Sequence, residues 1–268
     1  MPFRIVQSKQ NARLKQLRRA LAQPGREPNA TVGIEGPNLV AEALRAHLRI
    51  ETVFAALGSE PLVESLVLPP ETEILFLSHE LLAAAMTTEA PQPIAALVVP
   101  PAWQWADLLP VGRPALILVL AGLQDPGNLG TILRSAEAFG ATGVVSLPGT
   151  VSAWNPKAVR ASAGSLFRLP LVGSSVEDCF RRLAAAWVPI FTTAVQDAAP
   201  IHEAPLSGPA AIIIGNEGAG VSSGVAAQAQ SALTISCPGP VESLNAAVAA
   251  SILLYEASRQ RTNHRGQK

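Results

Sequence analysis

The sequence predicts an α/β protein in two parts: a smaller N-terminal α/β domain and a larger C-terminal domain built on a parallel sheet. Three observations predict it. From Ala115 onward, short apolar runs of Ala, Val, Leu and Ile alternate with helix-length segments, as expected for parallel strands covered on both faces. Before that, a weaker alternation of strands and helices is cut off by Pro100–Pro114, a proline-rich stretch without apolar periodicity. The length of 268 residues fits two ordinary domains, and a hydrophobic share of 49% supports a substantial core. The boundaries read as 1–100, a linker at 101–114, and 115–268.

In the first part, Ser8–Leu21 is expected to be helical, because Leu14, Leu17 and Leu21 form one apolar stripe. Pro24–Asn29 breaks it. Thr31–Glu35 reads as a strand, and Gly36-Pro-Asn opens a helix over Leu39–Ala46, since proline suits a first turn. Strands follow at Ile50–Ala55, Glu73–Leu77 and Ala95–Val99, with a helix capped by Ser78 running through Ala85. Trp103 and Trp105 in the linker could pack on either neighbour or stack on bases, and packing is the favoured reading. In the second part the strands are Ala115–Ala121, Gly143–Leu147, Val188–Thr193, Ala210–Ile214 and Ala232–Ile235. Helices between and after them span Leu129–Phe139, Pro156–Ala163, Val176–Ala186 and Ser243–Arg259, with a short one within 222–230.

Net charge is zero, so no uniform field surrounds the protein. The charges are unevenly spread. Residues 1–26 hold Arg4, Lys9, Arg13, Lys15, Arg18, Arg19 and Arg26 and no acid, and the end adds Arg259, Arg261, Arg265 and Lys268. Such basic ends fit an anionic partner or merely well-solvated helices. Two cysteines, Cys179 and Cys237, cannot make a disulfide framework or a four-thiolate zinc site, which fits a reducing compartment. No charged-then-apolar leader is visible, and no apolar run approaches the ~20 residues of a membrane span. A cytoplasmic setting without membrane association or metal is expected.

Three motifs lie at carboxyl ends of strands, where ligands bind in open α/β sheets. The first is Gln124-Asp-Pro-Gly-Asn-Leu-Gly-Thr-Ile-Leu-Arg134, continuing to Gly140, with Asn128 as expected N-cap and Gly140 as terminator. Arg134 lies off the buried stripe. Taken alone, it fits a surface ion pair with Glu137 better than a phosphate or oxyanion contact. The second is Gly215-Asn-Glu-Gly-Ala-Gly220 after an apolar strand. A dinucleotide fingerprint is excluded there, because the next strand ends in Ser-Cys-Pro-Gly with no acid for a ribose. The third is Ile235-Ser-Cys-Pro-Gly-Pro-Val-Glu-Ser-Leu-Asn245, with Ser243 as expected cap of an alanine-rich helix.

In order and spacing, these motifs resemble the SpoU family of RNA 2′-O-ribose methyltransferases, of the SPOUT superfamily, over residues 115–260. Ser8-Lys-Gln-Asn-Ala-Arg13 and Glu35-Gly-Pro-Asn38 more weakly resemble the L7Ae- or L30e-like substrate-binding domain that often precedes it. One departure is Ser236-Cys237, where the family usually has Pro-Met. The resemblance implies a deep trefoil knot, a homodimer, and S-adenosyl-L-methionine as methyl donor. It implies that Gly215, Ile235 and Leu244 contact the cofactor, with Asn216, Gly220, Ser243, Asn245 and Thr193 completing that set. Arg134 matches the family's catalytic arginine. A guanidinium is a poor base near neutral pH, so electrostatic stabilisation and positioning are favoured for it. Asn128 would fix the loop or contact the ribose, and Glu217 would orient Arg134 or the RNA. Arg13, Lys15, Arg18 and Arg19 on the basic first helix would attract RNA phosphates. Ribosomal RNA is the expected substrate, since the two-domain arrangement resembles ribosomal RNA modifiers more than the short tRNA enzymes. The alternatives are a tRNA ribose methyltransferase, or an RNA-binding or ribosome-associated protein of this fold without catalysis. A nicotinamide-dependent oxidoreductase is disfavoured by the missing acid.

Overall fold

A computed structural model of the chain describes residues 3–22, 31–194, 197–240 and 243–265. The break expected at Pro24–Asn29 lies outside them. The chain divides into two compact units, Met1–Ala102 with Ser152–Phe167, and Trp103–Val151 with Arg168–Lys268. Among the described residues, no helix is long and apolar enough to cross a membrane.

The first unit contains β1 (Phe3–Val6), α1 (Ala12–Ala22), β2 (Val32–Glu35), α2 (Pro37–Arg45), β3 (Ile50–Ala56), α3 (Glu60–Ser65), β4 (Glu73–Leu77), α4 (His79–Ala83) and β5 (Ile94–Val98). Its sheet runs β1-β4-β3-β5-β2. β4 pairs parallel with β1 and β3, whereas β5 is antiparallel to both β3 and β2. The stripe Leu14, Leu17 and Leu21 is buried in one cluster with Phe54, Leu75, Leu77 and Leu97. Ser78 caps α4 by accepting from the Leu81 N–H at 3.2 Å. Sequence periodicity misses β1, which buries only Val6, and α3, which is too short to display a period.

The second region supplies β6 (Leu116–Leu120), α5 (Pro126–Ala138), β7 (Gly143–Ser146), α6 (Pro156–Ser162), β8 (Leu171–Gly173), α7 (Val176–Ala185), β9 (Ile190–Thr193), β10 (Ala199–Pro200), β11 (Ala210–Ile214), α8 (Ser223–Ala226), β12 (Ser231–Thr234) and α9 (Ala246–Arg265). Its strands form one sheet, β10-β12-β9-β11-β6-β7-β8, parallel at every pairing. Ile117, Val119, Val145, Ile190 and Ile213 share a cluster with Cys179, Phe180 and Leu183 of α7. Burial, with Asp178 beside it, pushes the Cys179 thiol up to about 12, so it packs as an uncharged group. Trp103 and Trp105 of the linker pack on this same cluster, and Arg182 lies over the Trp105 ring at 5.5 Å.

Three local expectations are corrected. The cap of α5 is Asp125, not Asn128: its carboxylate accepts from the N–H groups of Gly127 and Asn128. Pro126 then fills the first helical position, where a missing N–H costs nothing. The cap of α9 is Asn245, not Ser243, its side-chain oxygen accepting from Ala247 N at 2.9 Å and Val248 N at 3.3 Å. Finally, α6 was expected between strands of the parallel sheet, but it packs in the first unit against β2.

Candidate active site

Parallel strands bring all their carboxyl ends to one edge. The neighbours β12, β9, β11 and β6 therefore deliver the three motifs side by side, although 122 to 245 spans much of the sequence. The turn after β11 is the tightest. Asn216 and Gly220 exchange both backbone hydrogen bonds at 2.9 Å. Gly215 faces that return so closely that a Cβ there would overlap the Gly220 carbonyl. The Asn216 side chain is used at both ends. Its oxygen accepts from Gly218 N at 2.9 Å and Ala219 N at 3.0 Å, and its Nδ2 donates to the Gly122 carbonyl at 2.9 Å. This clamps the β11 turn to the β6 turn.

A second clamp joins all three motifs. The Glu217 carboxylate accepts from Gln124 N at 3.2 Å, Asp125 N at 3.1 Å and Asn128 Nδ2 at 3.0 Å. Asn128 Oδ1 in turn accepts from Asn245 Nδ2 at 3.0 Å. The direction of this relay is dictated by chemistry. An ionised carboxylate only accepts, so Asn128 must offer its amide NH₂ to Glu217 and its oxygen to Asn245. Asn245 is then left with its oxygen for the first turn of α9. Burial opposes the Glu217 charge. Hydrogen bonds from Asn128 and from the backbone N–H groups of Glu217, Asp125 and Gln124 outweigh it and hold the carboxyl below the ordinary glutamate range. Packing of α5 on α9 keeps the two asparagines in register, through Ser135 and Ser251 hydroxyls 2.7 Å apart and an edge-on Phe139–Tyr255 pair.

Arg134 stands apart from this relay. It is exposed, and among the described residues its guanidinium has no hydrogen-bond or ion-pair partner. The ion pair with Glu137 is not formed, because Glu137 binds Arg168 at 2.6 and 3.0 Å. Helical geometry sets Arg134 about 9 Å along the axis from Asn128 and about 120° around it. Its charge therefore faces solvent, available to an anion. Ile235 and Leu244 are half-buried and Ser243 is exposed, while Val241 and Glu242 lie outside the described residues. Thr193 Oγ1 donates to the Ile213 carbonyl at 3.2 Å, tying β9 to β11. Segment 236–240 is exposed and, among the described residues, makes no backbone–backbone hydrogen bond. The residues fit an adenosine-bearing ligand: half-buried apolar side chains beside an exposed loop, with a bare Cα at Gly215.

Two residues that matter here escape sequence reasoning, Gly122 as acceptor for Asn216 and Asp125 as cap. Asp-Pro was a legible signal, since it places a capping side chain just before a first-turn proline. Of the basic residues, Lys15, Arg18 and Arg19 are exposed, but Arg13 is held by Glu73 at 3.1 Å and Glu51 at 3.6 Å. In the basic tail, Arg259 pairs with Glu256, and Arg261 donates to the carbonyls of Pro114, Ala115, Leu206 and Gly208.

The family described as SpoU rRNA Methylase matches residues 115–255, and the MRM3-like substrate binding domain matches residues 11–96. The chain is 35% identical over 260 residues to the 23S rRNA (guanosine(2553)-2'-O)-methyltransferase RlmP of Bacillus subtilis (strain 168), covering 93% of this chain and 97% of that protein. Among solved structures it is similar to the SpoU methyltransferase AviRb from Streptomyces viridochromogenes in complex with AdoMet, with a TM-score of 0.84 and 30% identity over 94% of this chain and 99% of that one. It is also similar to the AdoMet-bound rRNA methyltransferase from Sinorhizobium meliloti, with a TM-score of 0.83 and 27% identity over 95% and 97%.

Proposed function

The chain belongs to the SpoU rRNA methylase family, and from that premise we propose that it methylates a ribose 2′-hydroxyl in ribosomal RNA, with S-adenosylmethionine as donor. The observation that carries this reading is the Glu217–Asn128–Asn245 relay, which fastens three distant motifs into one site. Relatives matched over nearly the whole chain are named for ribosomal RNA, which favours that substrate over tRNA.

Bound S-adenosylmethionine supplies a methyl group on a sulfonium sulfur. Gly215 keeps one wall of the site free of side chain, and Ile235 and Leu244 offer apolar surface for the adenine. Asn216 holds the β11 turn to the β6 turn. The clamps fix these turns before substrate arrives, so little ordering is left for the moment of reaction. Arg134, exposed on α5, would hold the phosphate beside the target ribose and stabilise negative charge as the 2′-hydroxyl gives its proton to water and its oxygen takes the methyl, the broken S–C bond leaving the donor as a neutral thioether. A second copy of the chain belongs to the same proposal, supported by Val248 and Tyr255, which stay exposed on α9.

The test is transfer of a radiolabelled methyl group from S-adenosylmethionine to purified ribosomal RNA, followed by mapping of 2′-O-methyl positions. Incorporation at a single ribose is expected. Protein that binds the donor but labels no RNA would leave only a binding role.

A further inference from the structure

In a parallel sheet, the segment joining two neighbouring strands normally packs back on that sheet. The connection from β7 to β8 does not. Residues 152–167 leave the second unit, fold within the first, and return at Arg168. There α6 packs on β2, the edge strand of the first sheet, and its Ala158, Val159 and Ser162 are buried. Covering that edge accounts for the inner face of α6. It does not account for the outer one. Lys157 and Arg160 are exposed one turn apart, and the segment contains no acidic residue. Among the described residues Arg160 has no carboxylate partner. Just before the cap Asn155, Trp154 lies stacked on Phe167, with ring centroids 6.1 Å apart and planes 17° from parallel, and is half-buried.

We infer that Trp154 and Arg160 form an RNA-contact platform, stacking an unpaired base and holding a neighbouring phosphate. The occupant is a single-stranded stretch of the substrate RNA. A supported aromatic face and an exposed arginine are what such a strand requires. Trp154 needs no ordering on binding, because Phe167 already fixes its ring plane. The inference rests on the methyltransferase reading. It moves part of the substrate grip from α1, where Arg13 is already held by Glu73 and Glu51, to an excursion of the catalytic region's own sequence.

The experiment measures binding of a fluorescein-labelled, unstructured oligoribonucleotide to the full chain over a range of salt concentrations, beside calorimetric titration with S-adenosylmethionine. Arg160→Ala should weaken RNA binding and flatten the log–log salt slope by about 0.7, the loss of one single-strand phosphate contact. Trp154→Ala should weaken it roughly five- to hundredfold, with Trp154→Phe restoring most of the loss. Donor binding should be unchanged in all three. Wild-type RNA affinity and slope in Arg160→Ala, an exposed position, would overturn the platform even if Trp154→Ala folds poorly. If the wild-type chain methylates no RNA, the activity reading falls and this inference falls with it. If it methylates RNA and both variants do so with unaltered KM, only the platform fails.

Discussion

The two sheets place their polar residues to different ends. The second is parallel throughout, so four adjacent strands finish on the same edge and hand their turns to one another. The first mixes directions, with β5 antiparallel to both neighbours, so its strand ends are divided between opposite edges. The consequence shows in the hydrogen bonds. At the second sheet's edge, Glu217, Asn128, Asn245 and Asn216 bind across sequence separations of about a hundred residues. In the first unit, polar side chains serve the fold around them. Buried Glu35 accepts from Thr88 and from Gln92 N, and Arg13 reaches Glu73. A parallel edge concentrates chemistry, whereas a mixed sheet disperses it.

If that contrast is correct, the largest effect belongs to the charge left open beside the edge. Arg134→Ala should reduce methyl transfer about 10²- to 10³-fold, the scale seen when a donor to a developing oxyanion is removed. Its affinity for S-adenosylmethionine, measured by calorimetry, should stay within about twofold of wild type. A parallel fall in donor affinity would make Arg134 a structural residue.

Gly215→Ala comes next. The added methyl meets backbone rather than a movable side chain, so the turn itself must shift. Overpacking of this kind costs about 1–3 kcal/mol, and donor binding should be lost with it. Gly173→Ala in β8, where nothing lies within 4 Å of the new Cβ, is the control. Equal thermal shifts for the two variants would mean that close approach at Gly215 is not what shapes the pocket.

Glu217→Gln is milder. Glutamine both donates and accepts, so the orientation of Asn128 and Asn245 is no longer imposed. A fall in kcat of about tenfold is expected, without loss of fold. The pH dependence follows from sign. The folded-state pKa of Glu217 lies below its ordinary value of 4.5. Its contribution to stability is therefore complete above the unfolded value and lost as pH falls through the folded one. Wild-type protein should lose more stability than the glutamine variant on titration to low pH. Coincident acid limbs would show that the relay is not held by the Glu217 charge.

How far the sequence foretold this arrangement depends on the range of the interaction. The stripe Leu14, Leu17 and Leu21 and the runs Glu73–Leu77 and Ala210–Ile214 were legible because burial imposes a period that neighbours share. The β11 turn was legible as a site, since Asn216 and Glu217 stand in a glycine-rich turn after an apolar strand, whereas Arg134 taken alone read as a surface ion pair and gained its role only from the resemblance to the family. What periodicity does not encode is which turn touches which. Asn128 has the residue type of a cap, yet Asp125 caps α5 and Asn128 bridges Glu217 and Asn245. That reassignment follows from strand order, where β11 sits between β6 and β9. The destination of α6 was hidden for the same reason. Its buried Ala158 and Val159 suit the face of either sheet.

The smallest expected effect separates the two roles a surface arginine can play in the first unit. Arg13 was expected to meet RNA along with Lys15 and Arg18, but its guanidinium is shared between Glu73 and Glu51. With 40% of that side chain exposed, solvent screening limits the pair to below about 1 kcal/mol. Arg13→Ala should thus lower the melting temperature by a few degrees at most, and leave the salt dependence of RNA binding as it was. Lys15→Ala and Arg18→Ala should do the reverse, keeping the melting temperature and flattening the salt slope, because their charges are exposed on α1. A flattened slope in Arg13→Ala would mean that RNA draws the guanidinium away from its two carboxylates. The ion pairs would then be a resting arrangement rather than a fixed part of the fold.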